Sequence, residues 1–538
     1  MRSTLTRARI ARSLAAFVAL STFAAPLLVS SSALAAPDKP QKTKGQKADG
    51  KKKKPKKGAA APAPAPAAPT KVKAEPEETA PPIKVELALE RATLDNGLRV
   101  VINVDHSSPT VGIAVSYDVG ARDEEKGRSG FAHLFEHMMF QGSANVGKGE
   151  HMTLVAGHGG SPNGTTNGDR TSYFEGLPQN ELALGLWLEA DRMKSLDISE
   201  ANFENQRKVV QEEFRMRISN QAYGPSDVRL EELVFQGYWP YEHPAIGSMP
   251  DLDAAQLDWV KDFHDHHYGP NNAVLVVSGD VDAAEAMAMV HKYFDPVPKV
   301  TITPFTDVPL PEQTSQRTAV LTDDHARTSA VHMGWAIPAV RTADHYALDL
   351  ASMLLGEGES SRLHQLLVRD KGWAQSVHSY TADHRGPDIF TVGARLTEKG
   401  QIPEVQKAIE DQIKQLATKG PSSAEMKKAH RRAESAVVMG LQSNLSRARK
   451  LADFELFHGD ARELSNELPK YFAVTSDDIK RVTAKYLGPL RRTVIETNPT
   501  DMPEKPKAEP AKAAAPAKAP AKAAPAKKGA KAKKKKPS

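Results

Sequence analysis

The residues best suited to chemistry stand in the stretch 131–141, FAHLFEHMMFQ, which sets His133, Glu136 and His137 close together. Positions four apart on a helix share a face, one turn from each other. His133 and His137 can therefore bring two imidazole nitrogens to one metal ion, while Glu136 points towards the same region as a spare carboxylate. Nothing in the stretch breaks a helix; Ser129 is placed to cap its start and Gly142 to stop its end. Leu134, Phe135, Met138 and Met139 supply apolar cover, so the polar cluster is expected at a buried wall. Two histidines hydrogen-bonded at a helix surface would look the same in sequence, and a third donor is what separates the two readings. A catalytic zinc takes three protein ligands and keeps one position for water. The segment 202–217, NFENQRKVVQEEFRMR, is helix-patterned, with Phe203, Val209, Val210, Phe214 and Met216 at its apolar positions. Near its end it carries the carboxylate pair Glu212–Glu213.

Two histidines and a glutamate at H-x-x-E-H spacing form the inverted zinc-peptidase motif. With the downstream carboxylates, the chain resembles the pitrilysin or insulinase (M16) family of zinc metallopeptidases, in its bacterial, processing-peptidase-like form. In that family the third ligand is a glutamate about 76 residues beyond the second histidine, which selects Glu213 over Glu212. The resemblance, which spans about residues 90 to 490, implies one Zn²⁺ per chain on His133, His137 and Glu213. It implies Glu136 as general base in the hydrolysis of peptides or unfolded small proteins. The stretch 159–174, GGSPNGTTNGDRTSYF, reads from its residues as a turn-rich loop running into a strand. The resemblance makes this region an exposed edge strand on which extended peptide lies, with Asn163 as a substrate contact. Gly164 stands where alanine is more usual, and Gln206 where processing peptidases often carry another glutamate. In many relatives an arginine and a tyrosine from the opposite half of an enclosing chamber help bind substrate. Arg395, in FTVGARLTEKG, is the counterpart of that arginine, but no tyrosine stands seven residues after it. His264, His266 and His267, before the turn PNNA, read as structural residues at a helix end.

The flanks differ in kind from the body. Arg2, Arg7, Arg9 and Arg12, an apolar run over 14–29 and the A-x-A-like Ala33-Leu34-Ala35 make residues 1–36 a secretory signal peptide. The protein is therefore expected to be exported, periplasmic or secreted. Its cysteine count of zero leaves it without disulfides. Residues 37–85 and 499–538 are rich in lysine, proline and alanine and bury too little apolar surface to offset ordering entropy, so both are expected to be disordered. The first 36 residues carry +4, residues 37–80 a net +7 and residues 501–538 a net +9, which leaves residues 81–500 near −14 within a whole-chain +6. The sequence pI of about 9.0 thus belongs to the tails. Basic tails can touch an anionic membrane surface; nucleic acid is disfavoured because no aromatics interleave the lysines on which bases could stack.

A body of about 420 residues suits two domains. It hints at an internal repeat: strand-like text at 98–102 and 111–115 leads to the HLFEH helix, and strand-like text at 329–335 leads to a helical stretch at 345–355. Strands alternating with longer helices give an α+β class. The expectation is two related α/β domains with mixed or antiparallel sheets flanked by helices. They would comprise 86–300, with the metal motif, and 319–498, without it, joined by a proline-rich linker at 301–318. Family members with a closed chamber have four such domains, so the chain is expected to pair with itself or with a non-catalytic M16-like subunit. An inactive partner subunit and a basic-tailed scaffold are the alternatives; the intact four-residue motif speaks against the first.

Overall fold

The valine- and isoleucine-rich runs of the first half become the centre of a six-stranded sheet. In this computed structural model, which describes residues 81–397 and 401–500, the strands are β1 (Leu89–Thr93), β2 (Arg99–Val104), β3 (Thr110–Tyr117), β4 (Ser161–Thr166), β5 (Thr171–Pro178) and β6 (Ala273–Gly279), in the order β1-β2-β6-β3-β5-β4. The expected signal peptide and nearly all of both lysine-rich segments lie outside the described residues. β2 and β6 run parallel, and every other neighbouring pair is antiparallel. β6, AVLVVSG, is buried along its whole length, which is why its sequence is continuous rather than alternating.

The second sheet has β7 (Arg317–Asp323), β8 (Ala330–Ile337), β9 (Ala374–Thr381), β10 (Asp388–Leu396) and β11 (Thr493–Pro499), ordered β7-β11-β8-β10-β9. Here β7 and β11 are the parallel pair, so the five strands repeat the arrangement of β2-β6-β3-β5-β4. The expected internal repeat is present, in an α+β fold of two mixed sheets flanked by helices.

In the first half α1 (Phe131–Met138), α2 (Glu150–Gly157), α3 (Leu182–Ser195) and α4 (Glu200–Phe214) gather on one side of the sheet around Phe131, Leu134, Phe135, Leu186 and Phe203. The other face of each sheet is covered by a helix from the opposite half. Helix Asn444–His458 lays Ala448, Leu451, Ala452 and Leu456 on Val101, Ala114, Phe174, Val274 and Val276 of the first sheet. In return, α5 (Gly224–Val234) places Leu230, Leu233 and Val234 against Ile389 and Ile495 of the second. Gly112 on β3 is what admits the first of these helices, since a Cβ there would lie 2.5 Å from the Leu445 Cα.

Among the described residues β4 pairs only with β5 and leaves its other side as the sheet edge. Residues 161–166, within the stretch read as a turn-rich loop running into a strand and expected from the resemblance to be an edge strand, are strand. Pro162 is tolerated because an edge position need not donate to a ladder.

Candidate metal centre and active site

α1 starts one residue later than Ser129 suggested. Gly130, at φ 94, is the N-cap, and a side chain there would also meet the Ile246 carbonyl at 2.8 Å. The amides of Gly130 and Ala132 donate to Glu124 Oε2 and Oε1, each at 2.8 Å, so a buried carboxylate from the preceding loop satisfies the helix start. The Ser129 hydroxyl donates instead to Asp251 and accepts from the Ser248 amide. The α-helix ends at Met138, before Gly142 is reached. His264, in the last turn of helix Leu257–His267, lies with its ring centroid 5.6 Å from that of Phe135 and 5.8 Å from Tyr268. His267 packs likewise on Phe263, at 4.6 Å between centroids, while His266 Nδ1 lies 2.7 Å from the Asp262 carbonyl; among the described residues none of the three joins a metal-donor group.

α4 crosses to deliver Glu213, the carboxylate that faces α1. His137 Nε2 is 3.1 Å from Glu213 Oε2, and His133 Nε2 is 3.8 Å from Glu213 Oε1. The two imidazole rings stand edge to face with centroids 4.9 Å apart. One donor atom from each of the three residues falls within 4.8 Å of the others. Glu212 points outward to Arg215. After Phe214 the helix widens into one π turn, Arg215–Ser219, a feature frequent at functional sites. This turn carries Arg217, whose Nη1 is 2.6 Å from Glu213 Oε1.

The charges in this pocket suit a cation. Burial pushes His133 down to about 3, assisted by His137 and Arg217, so the imidazole is neutral and its lone pair available. Burial opposes ionisation of Glu213, but the His137 hydrogen bond and the surrounding positive charge outweigh it and bring the carboxyl to about 2. His133 Nδ1 is buried with no hydrogen-bond partner among the described residues, and its Nε2 is too far from Glu213 for one. A buried imidazole lacking such partners is costly unless something else engages it. Neutral imidazoles and one carboxylate are the donor set a zinc ion takes, at about 2.0–2.2 Å from each ligand atom. The residues fit the metal.

Glu136 stays beside this group without entering it. Burial raises its pKa above the ordinary value, against the pull of His137 and a hydrogen bond from Thr166. The Thr166 hydroxyl donates to Glu136 Oε2 at 2.7 Å. The arrangement is three converging donors, one carboxylate apart from them, and an open strand edge alongside.

Two family models match this chain. One described as Insulinase (Peptidase family M16) matches residues 99–238, and one described as Peptidase M16 inactive domain matches 254–432. The chain is 31% identical over 415 residues to the zinc protease PqqE of Helicobacter pylori, covering 76% of this chain and 93% of that protein. The chain belongs to peptidase family M16. A crystal structure of a protease from Helicobacter pylori superposes on this M16 chain with a TM-score of 0.73 at 30% identity, covering 77% of this chain and 100% of the other. Pitrilysin shares the fold at a TM-score of 0.63 and 18% identity, over 79% of this chain and 46% of its own.

The remaining residues singled out in this M16 sequence fall in different places. Asn163 is on the edge strand β4, where its Oδ1 accepts from the Gly164 amide at 2.9 Å. Gln206 is buried on α4, and its amide donates to Asn205. Arg395, near the end of β10, holds its guanidinium 4.8 Å from the Tyr223 ring centre. A second group, His151, Glu175 and Glu189, also converges, but both Glu189 oxygens are engaged by Arg192. His151 is bonded to Glu175 at 3.2 Å, and burial lifts Glu175 to about 7. Three residues of the site escaped the sequence reading. Arg217 carried a usable signal, standing four residues after a glutamate on one helix face; Glu124 and Thr166 carried none.

Proposed function

We propose that this M16 protein is a zinc-dependent metalloendopeptidase that hydrolyses peptides or unfolded small proteins. The observation that supports it is the convergence of His133, His137 and Glu213 with Glu136 alongside but outside the donor group. His133 and His137, as neutral imidazoles, and the Glu213 carboxylate would hold one Zn²⁺ per chain. When bound, the ion would polarise the scissile carbonyl and lower the pKa of water. Glu136 takes the proton of the attacking water and returns it to the leaving amine; its raised pKa places it nearer the working range of a general base. β4 offers unpaired backbone groups to an extended chain, with Asn163 beside the bound peptide. We further infer that the protein is exported, periplasmic or secreted, and that it pairs with a second copy or a non-catalytic M16-like subunit. Its basic tails are available to an anionic membrane surface.

The test is metal analysis of the purified chain together with cleavage of a mixed peptide library, with and without chelator. Glu136→Gln is expected to lower cleavage by at least about a hundredfold while zinc content stays near wild type. Full peptidase activity in that variant would end the assignment.

A further inference from the structure

Glu136 must remain close to the three metal donors without becoming a fourth, and the strand that would receive the substrate is what holds it. Thr166 is the last residue of β4, facing Thr171 across the hairpin. Its hydroxyl lies 2.7 Å from Glu136 Oε2 and 3.5 Å from Thr171 Oγ1. The Thr171 hydroxyl is itself given to the Val119 carbonyl at 3.0 Å. The single Thr166 hydroxyl hydrogen therefore goes to the carboxylate, the stronger acceptor. Two residues back along the strand, and so on the same face, Gly164 lies directly under the side chain. A Cβ there would be 2.8 Å from Glu136 Cγ and 3.4 Å from Oε1. Across the hairpin from Gly164, Tyr173 donates to the Phe135 carbonyl at 3.1 Å. The β4–β5 hairpin thus grips α1 at three points around the glutamate.

We propose that Thr166 is a positioning residue for hydrolysis: its hydroxyl fixes Glu136 through Oε2, assigns proton exchange to Oε1, and ties the base to the strand on which peptide lies. The inference rests on the peptidase reading. In the reaction the water oxygen forms a bond to the scissile carbon and the C–N bond breaks. The water proton passes through Oε1 to the leaving nitrogen, while Oε2 keeps its hydrogen bond throughout.

The test compares Thr166→Val, which keeps the shape and removes the hydroxyl, with Thr166→Ser, which keeps the hydroxyl. Both are made in the full zinc-loaded chain, with zinc content, Tm, and kcat and KM on one fluorogenic peptide as readouts. Crystal structures of both variants complete the set. The valine variant is expected to lose about tenfold in kcat with KM and zinc unchanged, the effect of one hydrogen bond to a charged group, and the serine variant to stay within about twofold of wild type. Wild-type kcat in the valine variant, or equal losses in both, would overturn the proposal. A wild-type chain that cleaves nothing would overturn the peptidase reading instead. The crystal structures then decide the positioning separately: it stands if Glu136 leaves its place in the valine variant alone, and falls otherwise.

Discussion

The two halves run their chains through the same strand order and treat a buried histidine in opposite ways. In the first, α1 follows β3 and carries His133; in the second, helix Ala343–Gly356 follows β8, the strand at the same place in its sheet, and carries His345. His345 Nε2 is 2.7 Å from Asp388 Oδ2, and both side chains are sealed from solvent, at 2% and 0% exposure. Nearby, Asp349 accepts from Tyr471 at 2.7 Å and from Thr381 at 3.1 Å. The second half therefore supplies its helix's polar groups with partners from the fold. The first half leaves His133 Nδ1 without one among the described residues and turns both imidazoles towards a carboxylate. One architecture thus gives a metal-ready pocket or a finished core according to whether an acid of the neighbouring strand reaches that histidine, as Asp388 does and Glu175, bonded to His151, does not.

The sharpest way to break that contrast is to remove each histidine. His133→Ala is expected to lose bound zinc and cleavage together while the chain remains folded. His345→Ala is expected to keep zinc and activity at moderate temperature but to lose about 3 kcal/mol of stability, since Asp388 is left buried without its counter-ion. Metal analysis and denaturant unfolding of the two variants measure this. Zinc loss in folded His345→Ala would erase the distinction.

The exchanged helices give the next largest effect. On the first sheet the approach is backbone against glycine: a Cβ on Gly112 meets the Leu445 Cα at 2.5 Å and the Leu445 nitrogen at 2.6 Å. On the second, the three atoms nearest a Cβ on Gly334 all belong to side chains, Val234 Cγ2 at 2.9 Å, Leu230 Cδ1 at 3.1 Å and Leu230 Cγ at 3.2 Å. Main chain cannot swing aside as a methyl can. Gly112→Ala is expected to cost about 3 kcal/mol and Gly334→Ala about 1 kcal/mol, both within the range of overpacking. Equal costs in denaturant unfolding would mean that the two helices are seated alike.

Acid separates the halves by sign. The folded state holds His133 at about 3, below the roughly 6.5 of a free imidazole. Its contribution is present above pH 6.5 and is lost as pH falls towards 3, because the unfolded chain binds the proton first. His345 behaves inversely: although burial lowers it, the Asp388 hydrogen bond and charge prevail and raise it. Its contribution is complete below about pH 6.5 and is lost as pH rises through the folded value. In metal-free protein each slope is at most about 1.4 kcal/mol per pH unit. His133→Ala should flatten the acid side of the stability curve, below about pH 6.5, and His345→Asn the side above it. Parallel curves for wild type and both variants would contradict the assignment.

How much of this could be read beforehand follows the range of each interaction. His133, Glu136 and His137 announce themselves because one helical turn sets their spacing, and Glu213 because the family spacing to it is regular. The helix exchange is invisible in sequence. Ala448, Leu451 and Ala452 form an apolar stripe that says a sheet must cover them but not which one. Ser129 is the right residue type for a cap, yet Asp251 takes its hydroxyl, and Glu124 reaches the helix start from a loop through buried bonds no local pattern encodes. Thr166 meets Glu136 across 30 positions only because β4 is the edge strand nearest α1.

The smallest expected effect concerns Arg395, which the family resemblance offered as a substrate contact. Its guanidinium covers Tyr223, a residue held at φ 68, whose amide donates to Asp323 at 2.7 Å and whose hydroxyl donates to the Thr328 carbonyl at 2.8 Å. Tyr223 follows the π turn that ends the Glu213 helix, so it pins that segment to the second half. Arg395→Ala removes one partly exposed cation–π contact, worth about 0.5–1 kcal/mol, and leaves both Tyr223 hydrogen bonds in place. Zinc content should not change, and KM should move by less than about threefold, the equivalent of about 0.6 kcal/mol. A tenfold rise in KM at unchanged zinc and stability would mean that the arginine reaches the peptide after all. The second half would then contribute to catalysis directly rather than through the helix it steadies.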